Sequence, residues 1–216
     1  MTTPVSRSLS TPNLRIQYLE YGSPTGTPVL LLHGFPDAPT GYQPILDLLK
    51  DEAKTHRFLL PYLRGFGETE VLQPNLIAGQ VAALVDDLFA FADALHLESF
   101  HLVGHDWGAS TAYAAALCAP GRIRTVLALA TPYLMYGGKD YPPAQVRGHW
   151  YQWYLQLEQG RKILHENHQA FCHELWTSWS PTWSFSSQDF AHAAEAWNNP
   201  QFAEICLLYT SDAADE

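Results

Sequence analysis

The sequence predicts an α/β domain, with a mostly parallel sheet, helices on both faces of the sheet and a helical cap. Apolar runs typical of strands alternate with amphipathic helical segments along the first 140 residues. Polar and glycine-containing motifs follow these runs, and the later chain is dense in Trp and Tyr without another buried strand. With 216 residues, 47% hydrophobic and 16% charged, the chain is long enough for one domain with a substantial core.

Three strands and one helix are predicted in the first third of the chain. Residues 14–22 alternate apolar and polar side chains before Gly-Ser-Pro, which indicates an edge strand closed by a turn. Residues 28–34 form a continuous apolar run, typical of a strand buried on both faces. Helical spacing of apolar residues predicts a helix over residues 40–53, and residues 57–63 form the third strand.

The middle of the chain predicts two more strands and two helices. Apolar residues recur every three or four positions over residues 78–97, which predicts a long amphipathic helix. Residues 99–106 form a fourth strand, the Ala-rich stretch after it a close-packed helix, and residues 124–132 a fifth strand. This alternation predicts parallel strands covered on both faces.

The motifs after these strands should converge, because sites in parallel sheets gather at the carboxyl ends of the strands. They are His33-Gly34-Phe35-Pro36, Arg64-Gly65-Phe66-Gly67, His105-Asp106-Trp107 and Thr131-Pro132. We therefore expect the N-terminal part of a core in residues 1–140 and part of a cap over the strand ends in residues 141–205.

Composition narrows the range of partners. A net charge of −10 and a pI of about 5.4 argue against nucleic acid or an anionic membrane, which reward clustered Lys and Arg, and favour a small neutral or electrophilic substrate. Three scattered cysteines do not form a disulfide framework, so a reducing compartment is expected. No signal peptide or membrane-spanning run is recognisable, and we expect a cytoplasmic location.

The motifs, in this order along the chain, resemble those of the α/β-hydrolase superfamily. His33-Gly34-Phe35-Pro36 together with Gly104-His105-Asp106-Trp107-Gly108 resembles in particular the epoxide hydrolases and their dehalogenase relatives. The resemblance extends from about residue 14 to about residue 180. It implies an α/β-hydrolase fold in which His33, Gly34, Pro36, Gly104, His105 and Gly108 support the site.

Asp106 stands where most nucleophile elbows of this superfamily carry Ser. A carboxylate is ionised near pH 7 without a base, and its attack on a saturated carbon makes an alkyl ester that water can cleave. Serine would instead make a stable ether with such a carbon. Asp106 is thus the candidate nucleophile for an epoxide or a carbon–halogen bond; the alternative is a carboxylate that only caps the following helix.

The resemblance also implies an oxyanion hole formed by the backbone N–H groups of Phe35 and Trp107. The Trp107 indole leaves the reaction open, because haloalkane dehalogenases hold the leaving halide with a Trp at this place. Two departures argue against dehalogenation. Phe35 stands where those enzymes often have Asn, and Trp107 stands where fluoroacetate dehalogenases typically have Arg.

Tyr151 is the candidate acid for epoxide opening, which leaves an alkoxide that needs a proton donor opposite the carboxylate. The segment YQWYLQ resembles the cap segment in which epoxide hydrolases place one of two ring-opening tyrosines, and Tyr151 matches that tyrosine. The alternative is that Trp150, Tyr151 and Tyr154 form only a packing face at helical spacing.

The remaining polar residues are interpreted as structural. His33 and His105 support the motifs, and Arg64 holds its loop turn. A metal is not expected at His165, His168, Cys172 and His173, because the segment lacks the H-E-x-x-H pattern. No cofactor is implied, the expected partner is a small apolar electrophilic substrate, and the sequence leaves the oligomeric state open.

The base for ester hydrolysis and its acid partner are expected after later strands that this chain lacks, so they are absent from it. Residues 206–216, CLLYTSDAADE, resemble a translated sequencing adaptor, and we expect a non-native tail on a truncated product. Such a fragment should lack turnover and expose a sheet edge. A different class of function, a non-catalytic relative that binds ligands, remains an alternative.

Overall fold

A computed structural model describes residues 3–133 and 143–215, and within them a seven-stranded mixed sheet. The strands are β1 (Val5–Ser10), β2 (Leu14–Gly22), β3 (Thr27–Leu32), β4 (His56–Pro61), β5 (Glu70–Val71), β6 (Phe100–His105) and β7 (Ile123–Leu129). Their order is β1-β2-β4-β3-β6-β7, with β5 paired to β2. Strands β4, β3, β6 and β7 run parallel, whereas β1, β4 and β5 each pair with β2 in antiparallel fashion. The α/β expectation is confirmed.

Helices cover the sheet and form the cap. The core helices are α1 (Gln43–Leu48), α2 (Val81–Ala94) and α3 (Trp107–Cys118). The later helices are α4 (Pro143–Gly148), α5 (Trp150–Gln156), α6 (Glu158–Glu166), α7 (His168–Trp179), α8 (Ser187–Ala196) and α9 (Phe202–Asp215). In the described residues, none of these helices has the length and apolar character needed to cross a membrane.

The structure corrects two local predictions. The strand over residues 14–22 is not an edge strand, because the unpredicted and largely exposed β1 pairs with its outer side. The prediction of a single helix over residues 40–53 is also wrong. This segment is divided into a 3₁₀ turn at Pro39–Tyr42, helix α1 and a second 3₁₀ turn at Glu52–Lys54. Pro44 in the first turn of α1 lacks an N–H for a continuous helix, so a new helix starts there.

Strand β3 is buried on both faces, as its apolar run predicts. Leu30 and Leu32 belong to the large cluster with α2, α3 and the cap, whereas Val29 and Leu31 belong to the cluster with α1. The motif at the end of β3 therefore starts from a strand that is enclosed on both faces.

Strand β7 ends the sheet in the described structure. Leu127 is 55% exposed, and Val126 and Leu129 are each 37% exposed. An apolar strand open at its edge is normally covered in a stable protein. The open edge is in line with the expectation from sequence, while the truncation itself stays a prediction.

The predicted domain boundaries have different outcomes. The boundary between residues 140 and 141 lies outside the described residues. At residue 206, where a non-native tail is predicted, the structure has no break: α9 runs across this point, and Cys206 and Tyr209 are buried. The origin of residues 206–216 stays a prediction.

Candidate active site

Asp106 occupies a sharp turn between β6 and α3. Its φ of 54° and ψ of −114° lie outside the regions that L-residues normally adopt. A Cβ atom on Gly104 would overlap the carbonyl oxygen of Gly108, and one on Gly108 would overlap that of Leu32. Both glycines are thus needed for the close approach that places Asp106 at the carboxyl end of the sheet.

The carboxyl group of Asp106 is bound by backbone amides. The Phe35 N–H donates to Oδ1 at 2.8 Å. Burial raises the pKa of Asp106 to about 6, while hydrogen bonds from the Phe35 and Trp107 amides and the nearby His149 act in the opposite direction. Gly34 makes the approach possible, because a Cβ atom there would overlap Asp106 itself. The two amides predicted as oxyanion donors are therefore brought to the same carboxylate.

His33 has a structural environment, as interpreted from the sequence. Its Nε2 accepts the Leu63 N–H at 3.0 Å, so the proton is on Nδ1, which donates to the Gly34 carbonyl at 3.0 Å. Burial lowers the pKa of His33 to about 4. A neutral His33 thus ties the loop after β3 to the loop after β4.

Arg64 is also buried and structural. Its guanidinium donates to both carboxylate oxygens of Asp87 on α2, each at 2.6 Å, and to the carbonyls of Leu76 and Ala78. A bidentate ion pair with further carbonyl acceptors holds the loop after β4 in one position. Arg64 does not line the cavity of Asp106.

Asp106 lies in a cavity of about 930 Å³ between the sheet and the cap. Tyr151 on α5 lines the same cavity, together with His105 and with Trp176 and Trp179 on α7. The Tyr151 ring is also buried: it stacks on Phe35 with centroids 5.9 Å apart and meets Trp179 edge-on at 5.1 Å. Tyr151 is thus both a lining residue of the cavity and a packed aromatic, and its role as the acid stays a prediction.

Three further residues around the cavity are not predicted as site residues from the sequence. Asp37 lines it, and burial, with the nearby Asp106 adding repulsion, raises the pKa of Asp37 to about 6. His149 lines it from the start of α5. The Trp176 indole N–H donates to the Pro36 carbonyl at 2.7 Å and so joins the cap to the loop after β3. Only Asp37 had a signal in the sequence, its place directly after His33-Gly34-Phe35-Pro36.

The Trp107 side chain does not accompany its backbone amide into the site around Asp106. Its indole is buried between Phe35, with centroids 5.3 Å apart, and Tyr209, with centroids 3.8 Å apart. Among the described residues its Nε1 has no hydrogen-bond partner, and Trp107 is not part of the cavity lining around Asp106. The indole N–H is therefore poorly placed to hold a group that leaves from this cavity.

The rest of the described structure lacks a cluster of metal-ligating side chains but has a second cavity. In the described part of the chain, no three His, Cys, Asp or Glu side chains are grouped so that they could hold a metal ion. A second cavity of about 630 Å³ lies between β2 and the cap and is lined mainly by polar residues such as Arg15, Gln17 and Asn199. Asp106 is not part of its lining.

Several known proteins are similar to this chain in sequence. The chain is 34% identical over 127 residues to epoxide hydrolase 2 from Siraitia grosvenorii, which is 59% of this chain and 39% of that protein. It is 32% identical over 146 residues to epoxide hydrolase A from Mycobacterium tuberculosis, 67% of this chain and 44% of that protein. A fluoroacetate dehalogenase from Burkholderia is 27% identical over 182 residues, 82% of this chain and 59% of that protein. The chain thus spans less than half the length of the two epoxide hydrolases.

Solved structures agree in fold. A candidate epoxide hydrolase from Klebsiella pneumoniae superposes with a TM-score of 0.86 at 31% identity, covering 95% of this chain and 68% of that one. The model of the alpha/beta hydrolase fold family matches residues 27–181. This match includes the elbow, the loop after β3 and much of the cap, and the chain therefore belongs to the alpha/beta hydrolase fold family.

Proposed function

We propose that this chain carries the ester-forming half of an epoxide hydrolase site, with Asp106 as the nucleophile. The observation that carries the proposal is the Asp106 carboxylate, held by the Phe35 N–H at 2.8 Å in a cavity that Tyr151 also lines. Similarity to proteins named epoxide hydrolases supports it. The activity of the whole protein is part of the same proposal.

In the first step, a carboxylate oxygen of Asp106 attacks one epoxide carbon, and the bond from that carbon to the epoxide oxygen breaks. The electron pair goes to this oxygen, which takes the phenolic proton of Tyr151. Tyr151 then regains a proton from water. The product is an alkyl ester of Asp106 that carries a hydroxyl on the neighbouring carbon.

In the second step, water attacks the ester carbonyl of Asp106, and the developing oxyanion is stabilised by the Phe35 and Trp107 amides. This step needs a base, and we assign that role to no described residue. The ester should therefore accumulate on this chain, and turnover should require a His and an acid from sequence beyond it.

Dehalogenation is the second candidate, because the fluoroacetate dehalogenase match covers 82% of this chain. Two observations argue against it. Among the described residues, no Lys or Arg lines the cavity to bind the carboxylate of a haloacid, and the Trp107 indole is not part of the lining. Halide release from fluoroacetate or a haloalkane, with no labelling by epoxides, would favour this candidate over ours.

Covalent labelling tests the proposal. We expect incubation with styrene oxide to add one epoxide mass to the intact chain, and peptide mapping to place it on Asp106. The labelling rate should rise about tenfold per pH unit below pH 6 and level off above it, because only the ionised carboxylate attacks and its pKa is about 6. Labelling at other residues only, repeated turnover, or a rate that falls with pH would contradict the proposal.

Replacing Tyr151 with Phe should slow this labelling by about 10²-fold, because the alkoxide loses its proton donor. The phenyl ring keeps the stacking on Phe35, so folding should change little. Tyr154→Phe is the matched control, since Tyr154 stacks on Phe171 within the cap and does not line the cavity. Equal labelling rates for the two variants would leave Tyr151 with a packing role only.

A further inference from the structure

The cavity around Asp106 has an excess of acidic side chains. Its described lining includes four carboxylates, Asp37, Asp47, Asp106 and Asp189, and three histidines, His105, His149 and His192, with no Lys or Arg among them. Like charges that surround a cavity with low-dielectric walls reinforce one another and exclude ligands of the same sign. A negatively charged substrate would therefore be disfavoured throughout this cavity.

Two of these carboxylates lie at the mouth and are open to solvent. Asp47 on α1 is exposed, and Lys50 is 3.9 Å from it on the same exposed surface. Asp189 on α8 is exposed, and hydrogen bonds from Ser186 hold its pKa below the usual range. Asp189 thus stays ionised wherever the protein is folded near neutral pH.

Three tryptophans add aromatic surface to the lining that contains these carboxylates. Trp176, Trp179 and Trp183 line the cavity; Trp179 is 37% exposed and Trp183 is 50% exposed. The indole N–H groups of Trp176 and Trp179 donate to the Pro36 and Gly148 carbonyls, at 2.7 and 3.2 Å. Because these two donors are engaged, Trp176 and Trp179 contribute aromatic ring surface to the cavity, and indole rings attract cations.

We propose that the preferred substrates carry a positively charged group, such as a quaternary ammonium, on the part of the molecule remote from the epoxide. The epoxide reaches Asp106, and the cation lies among Trp179, Trp183 and Asp189 near the mouth. This inference rests on the proposed function and names its substrate class. It also sets the site apart from one that takes haloacids or epoxides with a carboxylate tail.

Three para-substituted styrene oxides test the charge preference on the whole chain. Their substituents are trimethylammonium, its neutral isostere tert-butyl, and carboxylate. At about pH 8 and low salt, the ammonium compound should label Asp106 about tenfold faster than the tert-butyl compound, and the carboxylate compound should be the slowest. The ammonium advantage should shrink as salt rises. An equal or faster rate for tert-butyl or carboxylate would overturn the inference.

The corresponding diols separate this inference from the proposed chemistry, because they bind without reacting. Calorimetry should show tighter binding of the ammonium diol than of the tert-butyl diol. If no epoxide labels the chain but the diols follow this order, the proposed function fails and the charge preference stands. If the epoxides label Asp106 but neither the rates nor the diols depend on charge, the charge preference fails alone.

Variants at the mouth locate the effect. Asp189→Asn and Trp183→Leu should each lower the ratio of ammonium to tert-butyl labelling by about two- to fivefold, as expected for a partly exposed charge or cation–π contact, and the Asn carbonyl oxygen can still accept the Ser186 hydrogen bonds. Asp86→Asn is the matched control, because Asp86 is exposed on α2, outside the cavity lining. A ratio that is the same in all three variants would contradict the assignment of the cation to this place.

Discussion

Replacing Asp106 with Asn should abolish labelling by epoxides and at the same time stabilise the fold. The amide is not a nucleophile at neutral pH, so the labelling rate should fall by more than about 10³-fold. Asn keeps the shape of the side chain, can accept the Phe35 N–H, and tolerates positive φ better than most residues. Loss of reactivity would then not result from loss of structure.

The stabilisation follows from the raised pKa of Asp106. The value is about 6 in the folded chain against 3.8 ordinarily, so folding favours the protonated form. The free energy of unfolding of the wild type is therefore highest below the pKa that Asp106 has in the unfolded chain, and it decreases as the pH rises from there through about 6. Asn avoids this loss, and its free energy of unfolding at pH 7 should exceed that of the wild type by about 1–2 kcal/mol.

Urea unfolding at several pH values provides the measurement. The advantage of Asp106→Asn should grow between about pH 4 and pH 6 and stay constant above that range. Asp86→Asn, which removes an exposed carboxylate on α2, should show little change at any pH. A variant that is less stable than the wild type at pH 7 would contradict the desolvated environment of Asp106.

Replacing Gly108 with Ala should prevent formation of the native elbow. The new Cβ atom would overlap the backbone carbonyl of Leu32 in β3, which cannot move without disturbing the centre of the sheet. We expect a loss of about 3–5 kcal/mol, enough to remove most of the stability of a marginal domain. Thermal unfolding followed by near-ultraviolet circular dichroism would detect it.

Gly121→Ala is the control for that experiment, because a Cβ atom at Gly121 meets no other atom within 4 Å. Its unfolding temperature should stay close to that of the wild type. Gly108→Ala with wild-type unfolding would show that α3 can move away from β3, and the close approach would then not be needed for the turn at Asp106.

The sequence predicts the elements of the sheet best where burial dictates residue type. The apolar run of β3 identifies a strand enclosed on both faces, and the glycines around Asp106 indicate the sharp turn that the structure has. Strand β1 escapes prediction because its exposed residues show little apolar alternation. The prediction of one helix over residues 40–53 is wrong because apolar spacing alone does not reveal that a new helix starts at Pro44.

The site is predictable only as far as the motifs extend. Phe35, Asp106 and Trp107 lie at strand ends, so the rules for parallel sheets bring their backbones together. The positions of His149 and Trp176 depend on how the cap lies over the sheet, which local sequence does not encode. The burial of the Trp107 indole depends likewise on α9, a helix distant in the chain.

The hydrogen bond from the Trp176 indole to the Pro36 carbonyl links two properties of the protein. They are the shape of the cavity wall and the position of the loop that holds the Asp106 carboxylate. Trp176 forms part of the cavity wall, and Pro36 follows Phe35, whose N–H holds the Asp106 carboxylate. Replacing Trp176 with a smaller residue would therefore also release the loop that positions Asp106, the proposed nucleophile. In directed evolution, broader substrate range obtained at this position should be accompanied by slower chemistry, whereas changes at Trp183 would avoid that compromise.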